Sequence, residues 1–343
     1  MRAVPHLKTA AAAFALLLAL GAPWLVSAYD LNLLGRFLAF SLTAMGLVLL
    51  WGQGGVLSLG QGVFFGLGGY ALAMHLKLAD LGPAELPDFM VWSGLTALPW
   101  WWGLFRSPWV AVLAVLLVAP ALAALFAWAI FRRRIGGVYF ALITQALALA
   151  FATLLVSQQG KTGGFNGLTD YHTLFGFNLN RPATSTGLYY VTVVIALLTL
   201  AGLRWLLGGR FGKLLRASRE GSNRLRFLGY DPVPYKIVAF TLAALLSSIS
   251  GALFTLHAGV VSPALVGVVP SIEMVIWVAI GGRDSVIGAI AGTLLVNFAK
   301  DKISTALPEL WLYGLGLLFI LAVTALPKGI AGLFAARRKE AGE

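Results

Sequence analysis

The chain has 343 residues, 59% apolar and only 11% charged, with a mean hydropathy of +0.87 and a net charge of +12. Soluble domains carry about 25% charged residues, so ordinary water-soluble packing is excluded. Cysteine is absent, which removes disulfide frameworks, thiolate nucleophiles and cysteine metal sites.

About 20 consecutive apolar residues cross a bilayer core. Breaking the apolar runs at charges, prolines and glycine clusters predicts ten spans, near 9–28, 33–51, 56–79, 108–131, 137–157, 187–207, 237–257, 271–282, 285–299 and 310–327. All ten read as helices, because runs such as Val110 to Ile130 are continuous and an open sheet cannot cross lipid. The expected fold is all-α, a polytopic membrane protein with about ten transmembrane helices. It is expected to form one transmembrane domain over 1–343 that contains an inner loop at 208–236.

In chain order, the first segment admits two readings. Arg2, Lys8, the apolar run from Thr9 and Val26-Ser27-Ala28 fit a signal peptide cut after Ala28. The apolar run of about 20 residues exceeds the usual signal core of roughly 7–15, so a retained span is expected. From Trp51 to Tyr70, eight of twenty residues are glycine. Such density serves close helix packing or an unwound stretch lining a polar path, with Gln53, Ser58 and Gln61 as donors and acceptors. Trp92, Trp100, Trp101, Trp102 and Trp109 are expected in an interfacial belt.

Gly160-Lys161-Thr162 and Gly212-Lys213 resemble the end of a phosphate loop, but Leu155 and Leu207 occupy the required earlier glycine position. ATP, if used, must therefore be bound by another polypeptide, and no cofactor is expected on this chain. His6, His75, His172 and His257 lack paired metal-ligand spacing, and no paired acid and base stand out.

Arg204 to Lys236 holds eight basic residues against two acidic. Phe211, Leu214 and Leu215 make an apolar stripe that Gly221 can end. Ser222 or Asn223 can then cap a second helix carrying Leu225 and Leu228, stopped by Gly229 and Asp231-Pro232. Such helices lie on anionic lipid or are gripped by a motor subunit. In Ser271 to Lys300, two short runs flank Gly281-Gly282-Arg283-Asp284. Glu273 stands there as a carboxylate within apolar sequence, serving either a transport path or the interface near Pro270.

Basic residues set the direction. Arg132-Arg133-Arg134, the 204–236 loop, the Arg337-Arg338-Lys339 tail and Arg2 with Lys8 all fall inside if ten spans alternate, leaving 80–107 and 158–186 outside. Both termini are then cytoplasmic.

Four separated segments carry a resemblance: Gly52 to Tyr70, Thr162 to Thr169, Arg210 to Asp231 and Ser271 to Gly292. Together they resemble the permease subunits of branched-chain amino acid ABC transporters, the LivM type, over most of the chain. Within that family, 165–177, 223–232 and 295–301 look most like the urea permease branch. The resemblance implies a bacterial inner-membrane importer with a second similar permease, two cytoplasmic ATP-binding subunits and a periplasmic substrate-binding protein. It implies that Phe211 to Arg226 dock on an ATPase, with Phe211, Leu214, Leu215, Arg216, Arg219 and Glu220 at the contact. Gly221-Ser222 stands where the commoner pattern continues with acidic residues. Urea is small, neutral and rich in hydrogen-bonding groups, so Gln53, Ser58, Gln61 and Asn297 are the expected path residues, with Glu273 as a further candidate. A branched-chain amino acid or short amide cargo, a passive urea channel and a membrane-embedded enzyme are the competing readings.

Overall fold

A computed structural model of the chain describes residues 21–82, 85–179, 181–306 and 308, with scattered positions between 313 and 332. α1 covers Ala28–Leu47 and continues through a π-helical turn, Val48–Gln53. α2 follows at Gln61–Ala79, α3 at Pro108–Phe131, α4 at Val138–Ser157 and α5 at Pro182–Gly208. α6 is Arg210–Phe227, α7 Pro232–Ala258, α8 Val268–Gly281 and α9 Val286–Ala306.

Local chemistry sets several starts. Ser27 Oγ accepts from Asp30 N at 3.2 Å to cap α1. Asp231 Oδ1 accepts from Val233 N at 3.1 Å with Pro232 in the first turn, so α7 begins five residues before the predicted 237.

Six helices among the described residues are long and apolar enough to cross a membrane: α1 with its π turn, α2, α3, α4, α5 and α7. They match the predicted spans from 33–51 to 237–257. The expectation of two separate spans at 271–282 and 285–299 is corrected. α8 has only 14 residues, and a bend of 119° turns it into α9, so the pair adds at most one span and brings the described residues to at most seven spans where eight were predicted over the same stretch. Gly282 takes the bend at φ +110, a conformation that side chains rarely adopt, and Gly281 packs directly on the Gly288 carbonyl. The predicted segments 9–28 and 310–327 lie largely outside the described residues.

The long helices alternate in direction, so their termini gather at two ends. One end joins the turn after α3 to α6 and the start of α7. It also brings residue 52 against residue 283. The other end is a cap. There Lys77 Nζ donates to Thr169 O at 3.3 Å, His172 N donates to Asp80 at 2.7 Å, and Leu168 pairs with Val261 in a two-residue strand pair. Burial pushes the pKa of the Tyr171 hydroxyl above its ordinary range, and that O–H donates to Leu168 O at 2.5 Å. Trp92, Trp100 and Trp109 are exposed as a belt requires, but Trp102 is fully buried and is corrected. Its indole N–H donates to Lys161 O at 3.1 Å, a partner that lets the ring leave the surface.

α7 is the central helix, packed on α1, α2 and α3. Apolar side chains gain nothing by leaving lipid for protein, so close approach and hydrogen bonds hold such a bundle. The α7 sequence supplies both, with Ala239, Ala243, Ala244 and Gly251 buried along the contact. A Cβ on Gly251 would collide with the Phe65 carbonyl, and one on Gly68 with the Ser248 carbonyl, so α2 and α7 touch backbone to backbone. Ser250 Oγ donates to Ala39 O at 2.6 Å and Ser248 Oγ to Val115 O at 2.7 Å, tying α7 to α1 and α3. Phe40 joins this core to α8, 4.9 Å from Phe254 and 4.8 Å from Trp277 between ring centroids.

Candidate functional site

The glycine-rich segment contains a real break. After the π turn, residues 54–60 leave the helix, and α2 restarts at Gln61. The chain wraps back on the end of α1: Gly54 N donates to Leu49 O at 3.2 Å, Gly55 N to Trp51 O at 3.0 Å and Val56 N to Leu50 O at 3.1 Å. Gly55 takes φ +68 in this wrap. The segment therefore contains both a helix break and close helix contacts. Glycines at 52–55 accompany the interruption, and those further along permit close helix contact.

α6 docks on this break. Arg216 Nη1 donates to Gln53 Oε1 at 3.1 Å, and its other terminal nitrogen to Leu207 O at 3.2 Å. Arg219 donates to the Gly52 carbonyl and pairs with Asp284 Oδ1 at 2.7 Å. The Arg283 guanidinium lies 5.6 Å from the Trp51 ring centroid, and Gly52 packs on the Arg283 carbonyl with no room for a side chain. Three segments distant in sequence thus meet at one point: the end of α1, the middle of α6 and the α8–α9 bend.

Of the six residues expected to face an ATPase, Leu215 is fully buried beside Gly54, and Arg216 and Arg219 reach into the helix bundle of this chain. Phe211 and Leu214 are half-buried, Phe211 with its ring centroid 6.0 Å from that of Tyr235, and Glu220 is exposed. α6 is kinked at Gly221 as expected. Of the two capping candidates, Ser222 is otherwise engaged, since its hydroxyl donates back to Ser218 O at 2.9 Å and accepts from Lys236 Nζ at 3.1 Å. Leu225 is buried, whereas Leu228 is exposed.

The expected path residues divide into three groups. Gln53 belongs to the α6 contact. Ser58 and Gln61 are fully buried at the start of α2, among neutral polar groups. Gln61 Oε1 accepts from Ser247 Oγ at 3.0 Å, while its Nε2 has no partner. Gly60 N donates to Ser58 Oγ at 3.4 Å, Leu59 N to Thr144 Oγ1 at 3.0 Å and Gly62 N to Ser271 Oγ at 3.1 Å. Glu273 and Asn297 lie on α8 and α9. Glu273 is buried and pairs with Lys300 Nζ at 2.8 Å, and Asn297 Nδ2 donates to Thr293 O at 2.9 Å.

Asp284 and Lys300 escaped the sequence reading. The signal for Lys300 was present, because a carboxylate within apolar sequence calls for an opposite charge and Lys300 follows the bend in the returning run. Asp284 had no comparable local signal.

A many-helix membrane bundle with a broken span, a bent hairpin and a basic helix locked onto both defines a polytopic transport subunit. A sequence model described as branched-chain amino acid transport system / permease component matches residues 30–323, and the chain belongs to that family. It is similar to the high-affinity branched-chain amino acid transport system permease protein LivM of Escherichia coli K12, with 26% identity over 92% of this chain and 73% of the relative. BraD of Pseudomonas aeruginosa PAO1, a permease protein of the same kind of system, is 22% identical over 85% of this chain and 91% of its own. LivH of Salmonella typhimurium is 23% identical over the same shares. No solved structure matches the chain. Family membership agrees with the resemblance drawn from the four segments, and the likeness to the urea branch gains no support from these relatives.

Proposed function

We propose that the chain is the transmembrane permease subunit of an ATP-driven importer, working by alternating access while separate subunits hydrolyse ATP. The observation that carries this reading is the docking of α6 on the α1 break and the α8–α9 bend through Arg216, Arg219, Gln53 and Asp284. A motor pushing on the exposed side of α6, where Lys213, Glu220, Asn223 and Arg224 lie, moves that junction directly. A passive channel has no use for such a lever. The partners are a second similar permease, two ATP-binding subunits at the α6 end and a substrate-binding protein at the cap. The chain then sits in a bacterial inner membrane as one domain, with 208–236 and both termini on the cytoplasmic side.

For the cargo, urea is supported by the segments 165–177, 223–232 and 295–301 and by the neutral amide and hydroxyl groups around Gln61, which suit a small uncharged molecule. Branched-chain amino acids are the second reading, supported by the names of the relatives. Uptake of labelled urea and labelled leucine, in cells with and without the chain and with its partners present, separates them. Loss of saturable, ATP-dependent urea uptake with leucine uptake intact supports urea. Loss of leucine uptake alone moves the cargo to amino acids, and loss of neither overturns the importer reading.

A further inference from the structure

At the α6 end, the turn after α3 faces the stretch that joins α6 to α7 across two adjoining cavities. One, of about 420 Å³, is lined by Arg132, Arg134, Arg226, Tyr230 and Asp231. The other, of about 290 Å³, is lined by Arg134, Arg226, Ser222, Asn223 and Lys236. Arg134 and Arg226 line both, so the cavities form one cleft with four cations and a single carboxylate. That carboxylate, Asp231, is engaged in capping α7. Among the described residues the ion pairs are Arg219 with Asp284 and Lys300 with Glu273, so none of the four cations of the cleft has an acidic partner. Arg134 holds its place at φ +60, a left-handed conformation uncommon for a side chain.

The rim fixes what fills the cleft. Arg132 lies 5.4 Å from the ring centroid of Trp128, a half-exposed indole near the end of an otherwise apolar span. Exposed Tyr139 follows on α4, and exposed Phe227 and Leu228 end α6. Indole and arginine together mark the level of lipid headgroups, where cations are drawn to an anionic surface. The guanidinium fork matches phosphate oxygens, and the flanking apolar side chains suit acyl chains that a soluble anion lacks.

We propose that this cleft holds the phosphodiester headgroup of an anionic phospholipid. The inference depends on α3 and α7 crossing a bilayer, not on the cargo or the motor. The test is native mass spectrometry of the full chain in detergent, titrated with phosphatidylglycerol, phosphatidylcholine or inorganic phosphate. Phosphatidylglycerol is expected to be retained at least ten-fold more tightly than phosphatidylcholine. The double substitution Arg134→Gln with Arg226→Gln is expected to weaken phosphatidylglycerol about thirty-fold. Arg226→Lys, which keeps the charge but loses the fork, is expected to weaken phosphatidylglycerol by about three- to ten-fold, less than the double variant. Equal retention of the two lipids overturns the proposal, as does unchanged retention by the double variant or an equal loss with Arg226→Lys. Displacement of phosphatidylglycerol by an equal concentration of inorganic phosphate assigns the cleft to soluble anions and also overturns it.

Discussion

Arg219→Ala removes two contacts at once, the hydrogen bond to the Gly52 carbonyl and the ion pair with Asp284. The pair is worth little, about 0.5 kcal/mol, because its side chains are 32% and 58% exposed and water screens them. A hydrogen bond from a charged donor contributes about 1.5–3 kcal/mol, and the partial exposure of Arg219 places this one near the lower figure. The sum, about 2 kcal/mol, corresponds to roughly a thirty-fold loss in the equilibrium that keeps α6 docked. Asp284→Ala removes only the ion pair and should cost about two-fold. The assay is cargo uptake per ATP hydrolysed by the complete transporter in proteoliposomes. Arg219→Ala is expected to lower that ratio by about ten- to thirty-fold, and Asp284→Ala by less than about three-fold. The double variant should be no worse than Arg219→Ala, because the ion pair is already gone. Uptake per ATP within two-fold of the parent in Arg219→Ala would refute transmission through this junction.

Three further predictions concern the bundle. Lys300→Met leaves Glu273 buried without its counter-charge and should destabilise the protein by about 2–3 kcal/mol, discounted for the partial exposure of Lys300. Glu273→Gln keeps an acceptor and should cost less, and a thermal melt in detergent that ranks the two the other way contradicts the pairing. Gly251→Ala places a methyl group on the Phe65 carbonyl and should cost about 1–3 kcal/mol, whereas Gly202→Ala, with open space around it, should leave the melting temperature unchanged. Gln61→Met removes an amide whose Nε2 lacks a partner, so stability should hold or rise while uptake falls if the amide lines the path. Normal uptake by a stable Gln61→Met variant removes Gln61 from the path.

What was legible in the sequence was local. Asp231-Pro232 marks the start of α7, Gly221 marks the kink in α6, and the long uncharged run ending at Ile130 marks α3, because capping, backbone freedom and apolar length act within a few residues. The turning of α6 was not legible. Its apolar stripe predicts that one face is buried but not against what, and burial of Leu215 beside Gly54 requires a contact about 160 residues away in the chain. The α8–α9 pair failed for a related reason. Two short apolar runs around Gly281-Gly282 fit two tilted spans or one bent hairpin equally well, and the 119° bend between them is set only in the folded chain. Trp102 shows the same limit, since nothing near it in sequence announces the Lys161 carbonyl that receives its N–H.

The bond from Arg219 to Gly52 also has a meaning for α1 itself. A helix ends on carbonyl groups with no partner of their own, at the negative pole of its dipole. In α1 the wrapped-back amides of Gly54, Val56 and Gly55 take the carbonyls of residues 49 to 51, and the next one, on Gly52, is taken by a side chain from another helix. Arg219 is thus a C-terminal cap lent across the structure. Lifting α6 by about the length of one hydrogen bond uncaps α1, so the end of a membrane helix registers the position of a helix that follows it by more than 150 residues.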